Sequence, residues 1–497
     1  MNKTTIKRVI SCCMVIGLTI SLLSCMSPVC ERKASKEKYK DFFSQQGDFD
    51  VLFLGTSHVL YGIFPTELWD DFGIISYNMA THSNTMPINY WALKNALDYT
   101  TPKLVVVDCY NIFNDHKMSG NFSHTHLMFD AFPLSKTKIE TVNDLVDKNE
   151  LQRDNDGESP SKLGLLWDFS VYHSRWNQLT REDFFVKYNP EKGAGHLIGV
   201  YPGRLVKNEE YAFINDTLGQ QYLQKIIREC QERNIEVLLT YISFPASKEE
   251  QDRAHNISRI AEQYQVEYIN FFDLNVVDYA TDYYDNAEAN SHVNVSGAKK
   301  VTRYLGEIIQ KKYHISDQRG NPIYAHWYDD YERYTIEKNG WLLSQEQLDN
   351  YLMLLYDKQY DVIMEVKDKR LYQSRVFNNL LKNLGLQEDE AKSFDLLTIQ
   401  GGKKANGIII KSPGEKTEKY ATDIGDILIQ PTDQPDGGKN YAVFYNGVTI
   451  NNTALSNSIR ITVMKADTTK VVDRVAFDIA ITGNEDEIGF STIQAVR

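Results

Sequence analysis

The sequence predicts an α/β domain built on a parallel sheet, followed by a β-rich module, and three observations carry that prediction. Short apolar runs recur at 51–54, 74–77, 104–107, 237–240 and 268–271. The segments between them have helical spacing, most clearly at 221–232, where Leu223, Ile226, Ile227 and Cys230 fall three and four residues apart. Strands that alternate with helices in this way pair in parallel through right-handed crossovers. From Phe394 onward the texture changes to short runs such as "YAVFYNGV" and "SIRITVMKA", punctuated by Gly, Asn and Asp turns.

Taken in order, the chain opens with Lys3, Lys7 and Arg8, then an uncharged run from Val9 to Cys30 that Glu31, Arg32 and Lys33 close. That run is about as long as a bilayer-crossing helix. A retained anchor is the expected reading. A cleaved signal peptide is a second, and a lipoprotein signal a third, because Leu22-Leu23-Ser24-Cys25 loosely matches a lipobox. Positive charge flanks both ends, so the positive-inside rule does not fix the orientation. All three readings place the bulk of the chain outside the cytoplasmic membrane. Of six cysteines only Cys109 and Cys230 lie in the folded body, so no disulfide framework is indicated.

With 497 residues, and roughly 150 per domain, two or three domains are expected. The segments read as an anchor or signal at 1–30, a stalk at 31–47, an α/β domain at 48–315, a connecting α/β region at 316–393 and the β-rich module at 394–497. A polar, aromatic insertion at about 114–213 interrupts the α/β domain; such inserts commonly shape a substrate cleft or a partner surface. The formal charge of −13 argues against nucleic acid, whose phosphates need a cationic face.

The chemistry concentrates at "FLGTSHVLYGI", where the first strand breaks into Gly-Thr-Ser-His. Ligands of open parallel sheets collect beyond the carboxyl ends of the strands, and Ser57 stands there. The glycine before it is expected to permit a sharp bend. The free N–H groups of the helix that follows can polarise an oxyanion. A serine so placed attacks a carbonyl if a base is near, and "DYYDNAEANSHVNVSGAKKV" offers His292 just before a helix start. Asp285 is the acid chosen to orient that imidazole, with Glu288 and Asp282 as substitutes. Capping of the helix is the bland role for Ser57. His58, next to the serine, is expected to line the cleft or support it.

In order, the blocks "GTSH", "NMATHSNT", "CYNIF" and "SHVNVSGAKK" resemble those of the SGNH (GDSL-like) hydrolases and acyltransferases, over roughly Asp48 to Tyr313. The resemblance implies a three-layer α/β/α flavodoxin-like domain with Ser57 as nucleophile, His292 as base, and an oxyanion hole from the Ser83 backbone N–H and the Asn111 side chain. Two departures stand out. Ser83 replaces the family's usual glycine, and Ala289 occupies the position, three before the histidine, where the family carries its acid.

His82, His124, His126 and His173 invite a metal reading, but no acidic or cysteine partner with ligand spacing accompanies them, so neither metal nor cofactor is expected. Trp167, Tyr172 and Trp176 in the insertion are candidates for stacking on a glycan, against the default that aromatics fill cores. An anchored domain of this kind looks like the proteins that O-acetylate exopolysaccharides or complete D-alanyl transfer to teichoic acids, with a multi-pass membrane acyltransferase as acyl source. The expectation is an acyltransferase that modifies a cell-surface polysaccharide through acyl-Ser57. A carbohydrate or lipid esterase with the same residues is the alternative, and an inactive glycan-binding scaffold the third reading.

Overall fold

The uncharged N-terminal run forms helix α1 (Lys3–Cys30), and α2 (Lys33–Ser44) follows after a break. In this computed structural model, which describes residues 3–119, 122–146, 161–284, 292–387, 389–390, 394–402, 409–410, 416–422, 425–433, 439–449, 458–484 and 487–497, the segment expected as a stalk packs into the core. Tyr39 and Phe42 share one face of α2 and are buried against Phe49, Tyr77 and Phe132, with ring centroids 5.2–6.5 Å apart.

The apolar runs become β1 (Val51–Leu54), followed by α3 (Ser57–Gly62) and α4 (Pro65–Phe72); β2 (Ser76–Asn78), followed by α5 (Met86–Ala96); and β3 (Leu104–Asp108). The insertion folds as α6 (Phe122–Phe129), α7 (Lys136–Val146), α8 (Lys162–Leu166), α9 (Phe169–Tyr172) and two 3-10 turns, His173–Asn177 and Arg181–Phe184. Then come α10 (Leu218–Glu232), β4 (Glu236–Tyr241), α11 (Lys248–Tyr264) and β5 (Glu267–Asn270). The five strands pair in parallel in the order β2-β1-β3-β4-β5, the doubly wound order of flavodoxin-like folds. Every residue of β1, β2 and β3 is buried, as a sheet covered on both faces requires. Helix α10 starts at a capping box between Thr217 and Gln220, and turns Leu223, Ile226, Ile227 and Cys230 inward as their spacing predicts.

Two short antiparallel strands, β6 (Tyr283–Tyr284) and β7 (His292–Val293), precede α12 (Val295–Lys312). Beyond them are α13 (His326–Leu343), α14 (Leu348–Leu354), β8 (Tyr360–Val366), α15 (Arg375–Asn383), β9 (Leu396–Ile399), β10 (Ile409–Ile410), β11 (Glu418–Thr422), β12 (Gly425–Asp433), β13 (Lys439–Tyr445), β14 (Val448–Thr449), β15 (Ile459–Lys465), β16 (Val471–Asn484) and β17 (Glu487–Val496). The β-rich region consists of a six-stranded antiparallel sheet, β10-β9-β8-β15-β16-β17, and a four-stranded one, β11-β12-β13-β14. Ile363, Leu396, Ile427, Ile429, Val443, Tyr445 and Met464 form a core with residues from both sheets. Because β8 pairs with β9 and β15, the boundary expected at 393 falls inside one sheet.

The chain divides into two compact units. One comprises Met1–Gly195, Val206–Val276 and Val301–Asp330, and contains α1 and the parallel sheet. The other comprises His196–Leu205, Val277–Lys300 and Tyr331–Arg497, and contains β6, β7 and the β-rich region.

Candidate active site

In the first unit, β1 ends at Leu54 and Thr56 caps α3, its side chain accepting from the His58 N–H, so Ser57 is the first helical residue rather than the cap. It is half-buried. Because β2 and β3 flank β1 on opposite sides, the loops after those strands border the serine at the switch point of the sheet. Hydrogen bonds tie the three loops together. Asn84 Nδ2 donates to the Gly55 carbonyl (3.0 Å), and Asn111 Nδ2 donates to the Asn84 carbonyl (2.9 Å). A carboxamide has two N–H donors, and the second one of Asn111 meets no acceptor among the described residues.

Gly55 serves this site through space and not through a bend. Its φ is not positive, and a Cβ there would lie 2.4 Å from Val59 Cγ2 and 3.1 Å from Asp108 Cβ. Ser83 is exposed with φ 53°, the left-handed conformation that glycine favours.

His58 is an interior residue, not a cleft-lining one. It is 2% exposed, with its ring 4.2 Å from that of Tyr110 and 4.9 Å from that of Phe244. Sequence reasoning missed one acid beside Gly55. Asp108, at the end of β3, is buried and accepts from the backbone N–H groups of Tyr110 (3.1 Å) and Ile242 (2.9 Å), which shapes the start of the Asn111 loop. Burial pushes its carboxyl up to about 7, against those hydrogen bonds. The available signal was an aspartate closing an apolar strand, "VVVDCYN".

The histidines considered for metal take other roles. His82 Nε2 lies 3.4 Å from the Tyr61 hydroxyl, and its ring 5.4 Å from that of His124. Burial lowers both imidazoles, His124 to about 4 with His82 adding to the effect, so His124 is neutral at physiological pH. His126 pairs with Asp130 at 2.7 Å, and His173 Nδ1 faces the Phe169 and Ser170 carbonyls. Among the described residues no group of three or more His, Cys, Asp or Glu is placed to hold a metal ion.

Two buried lysines pin the strap 189–195 beside the end of β2. Lys38 of α2 donates to the Asn78 carbonyl (2.9 Å) and to the Gly193 carbonyl; burial holds its ammonium down to about 7. Lys192 bonds Asp41 Oδ2 (2.6 Å) and Asp330, over the face of Trp327 at 4.4 Å.

His292 belongs to the second unit, half-buried in β7 opposite Tyr284. The residues around it are held by Asn294, which donates to the Gly199 and Thr281 carbonyls (2.8 Å each) and accepts from the Gly297 N–H (3.1 Å). Asp282, one substitute for the orienting acid, is fully buried and already accepts from Lys300 Nζ (2.5 Å), Ser296 Oγ (2.9 Å) and the Asp278 N–H (2.7 Å). Asp285 and Glu288 lie outside the described residues.

Of the three residues expected to stack on a glycan, Tyr172 does not present its ring. It is buried, and its hydroxyl donates to Asp130 Oδ2 at 2.8 Å. Trp167 is half-buried against Phe169, whereas Trp176 is exposed.

No family model matches the chain, and no curated protein does. Several solved structures are similar to part of it, among them the following three. A protein described as lipolytic, of the G-D-S-L family, from Desulfitobacterium hafniense is 11% identical over 52% of this chain and 98% of its own, with a TM-score of 0.26. A protein described as an acylhydrolase from Bacteroides fragilis is 10% identical over 56% and 98%, with a TM-score of 0.28. A GDSL-like lipase from Bacteroides thetaiotaomicron is 11% identical over 56% and 99%, also with a TM-score of 0.28.

Proposed function

We propose that this chain is a membrane-anchored serine acyltransferase of the SGNH type, in which Ser57 carries an acyl group to a hydroxyl of a cell-surface polysaccharide. The observation that carries the reading is the placement of Ser57 at the switch point of a 2-1-3-4-5 parallel sheet, in a loop tied through Asn84 to the loops of Ser83 and Asn111. In the proposed reaction Ser57 Oγ attacks the acyl carbonyl and its proton passes to His292, which returns it to the departing group of the donor. The Ser83 N–H and the Asn111 amide stabilise the oxyanion. The acceptor hydroxyl then gives its proton to the same imidazole as it attacks the acyl-enzyme, and the imidazolium passes that proton to Ser57 Oγ as the acyl–Oγ bond breaks, which regenerates both residues.

His292 is assigned by the order of the sequence blocks. Since Asp282 is engaged by Lys300 and Ser296, Asp285 is retained as its orienting acid, with Glu288 as the substitute. The length and apolarity of α1 support an anchor, with the body outside the cytoplasmic membrane beside a multi-pass acyltransferase that supplies the acyl group.

Two measurements test the proposal. A serine-directed fluorophosphonate should label the full chain but not Ser57→Ala, and His292→Ala should slow labelling by about a hundredfold or more. Cells that carry Ser57→Ala should lose acyl groups from the surface glycan. Labelling with unchanged glycan acylation would leave an esterase whose acceptor is water. A wild-type chain that never labels would leave only a scaffold.

A further inference from the structure

The chain carries a formal charge of −13, yet one cavity of about 730 Å³, at the C-terminal end of α1, is lined by five cations against three acids, Glu37, Glu182 and Asp183. Arg32 and Lys33 line it from the residues that follow α1; Arg175, Arg181 and Lys187 line it from the insertion. Two of the five are committed to the fold. Lys33 Nζ donates to the Pro28 (2.8 Å), Val29 (3.1 Å) and Glu31 (3.0 Å) carbonyls. Arg175 donates to those of Cys30 (2.7 Å) and Glu31 (2.8 Å) and pairs with Asp183 (2.8 Å). Together they cap the negative end of α1. Arg32, Arg181 and Lys187 have no ion-pair partner among the described residues.

The same part of the insertion exposes large aromatic rings: Trp176 is 68%, Phe184 61% and Phe185 65% exposed. Trp176 and Phe184 lie on the two 3-10 turns, which pack against α1 together with α9, and Phe185 follows directly. In water such a cluster is costly. At a membrane interface aromatic rings and basic side chains are both favoured. The length of α1 brings its C-terminal end to that level, since 28 residues rise about 42 Å and the hydrocarbon layer is about 30 Å thick.

We propose that this face rests in the membrane interface, with Trp176, Phe184 and Phe185 among the headgroups and the cavity receiving the phosphate of an anionic lipid through Arg32, Arg181 and Lys187. The inference rests on the reading of α1 as a retained anchor. It does not depend on the chemistry at Ser57.

The test uses the full chain in vesicles of phosphatidylcholine and phosphatidylglycerol whose acyl chains carry bromine near the headgroup. Bromine should quench a tryptophan component that Trp176→Phe removes. Chain released by detergent should retain phosphatidylglycerol over phosphatidylcholine, by about fivefold for each unpaired cation. The combined variant Arg32→Gln, Arg181→Gln, Lys187→Gln should abolish that preference, and inorganic phosphate should not displace the lipid. Quenching that Trp176→Phe leaves unchanged, or a preference that survives the triple variant, overturns the proposal. Carbonate extraction separates the two readings. A chain that stays embedded without quenching overturns the docking face alone, whereas a chain that washes off overturns the anchor and the face with it.

Discussion

Lys192→Met should unlatch the strap beside the end of β2. The lysine side chain is wholly buried; its ammonium lies 2.6 Å from Asp41 and bonds Asp330, and both carboxylates are less than a tenth exposed. The Tyr188 hydroxyl also donates to Asp330, and the Trp327 face lies 4.4 Å from the ammonium. Methionine approximates the volume and the apolar contacts of the stem, so the cavity cost is small. What disappears is the charge that neutralises two buried carboxylates. Removing one partner of a buried pair costs about 3–5 kcal/mol, and the cation–π contact overlaps with that figure rather than adding to it. Against a total of about 5–15 kcal/mol for a folded domain, the loss is large. Equilibrium denaturation should show a lowered midpoint with an unchanged slope, and adding Asp41→Asn and Asp330→Asn should restore most of it, because amides need no counter-charge. The strap also meets the sheet, where the Lys192 carbonyl accepts from the Asn78 N–H at 3.0 Å. Labelling of Ser57 should therefore slow as well. A loss below about 1 kcal/mol, the scale of an exposed pair, would refute the reasoning.

Gly55→Ala should cost about 1–3 kcal/mol through overpacking against Val59 and Asp108, with loss of Ser57 labelling; a thermal midpoint equal to wild type would show that the loop has room to spare. Burial holds the Asp108 carboxyl up at about 7 in the folded chain, above its ordinary 3.8, so the native state binds its proton more tightly than the unfolded state does. Its contribution is full below the unfolded value and is lost as pH rises through about 7, a change of up to about 4 kcal/mol. Asp108→Asn should remove that slope from the pH dependence of unfolding, and an unaltered slope would contradict the assignment. Asn294→Ala removes three buried hydrogen bonds around β7 and should cost about 3 kcal/mol, with faster amide exchange at Gly297; unchanged exchange there would mean that the turn holds without it.

Much of the fold was legible because it is local. A strand of four to six apolar residues between turn signals, or a helix with Leu223, Ile226 and Ile227 on one face, states its own geometry whatever lies opposite. The position of Ser57 after β1 was legible for the same reason. Asp108, Lys38 and Lys192 were not, because a charged residue inside an apolar or loop segment reads as solvated until its partners are known. Those partners, such as Gly193 and Asp330, lie more than a hundred residues away in sequence.

The amino-acid order by itself thus determined the strand-helix alternation, the apolar N-terminal helix, the β-rich end and the serine at a strand terminus, since each follows from the period and chemistry of adjacent residues. Tertiary structure decided which faces meet. It turned the supposed stalk into a core helix through Tyr77 and Phe132, withdrew Tyr172 from any glycan through Asp130, and joined β8 to strands beyond residue 393. The physical reason is that periodicity announces an apolar or polar face in need of a partner, while the partner's identity depends on contacts between residues far apart in the chain.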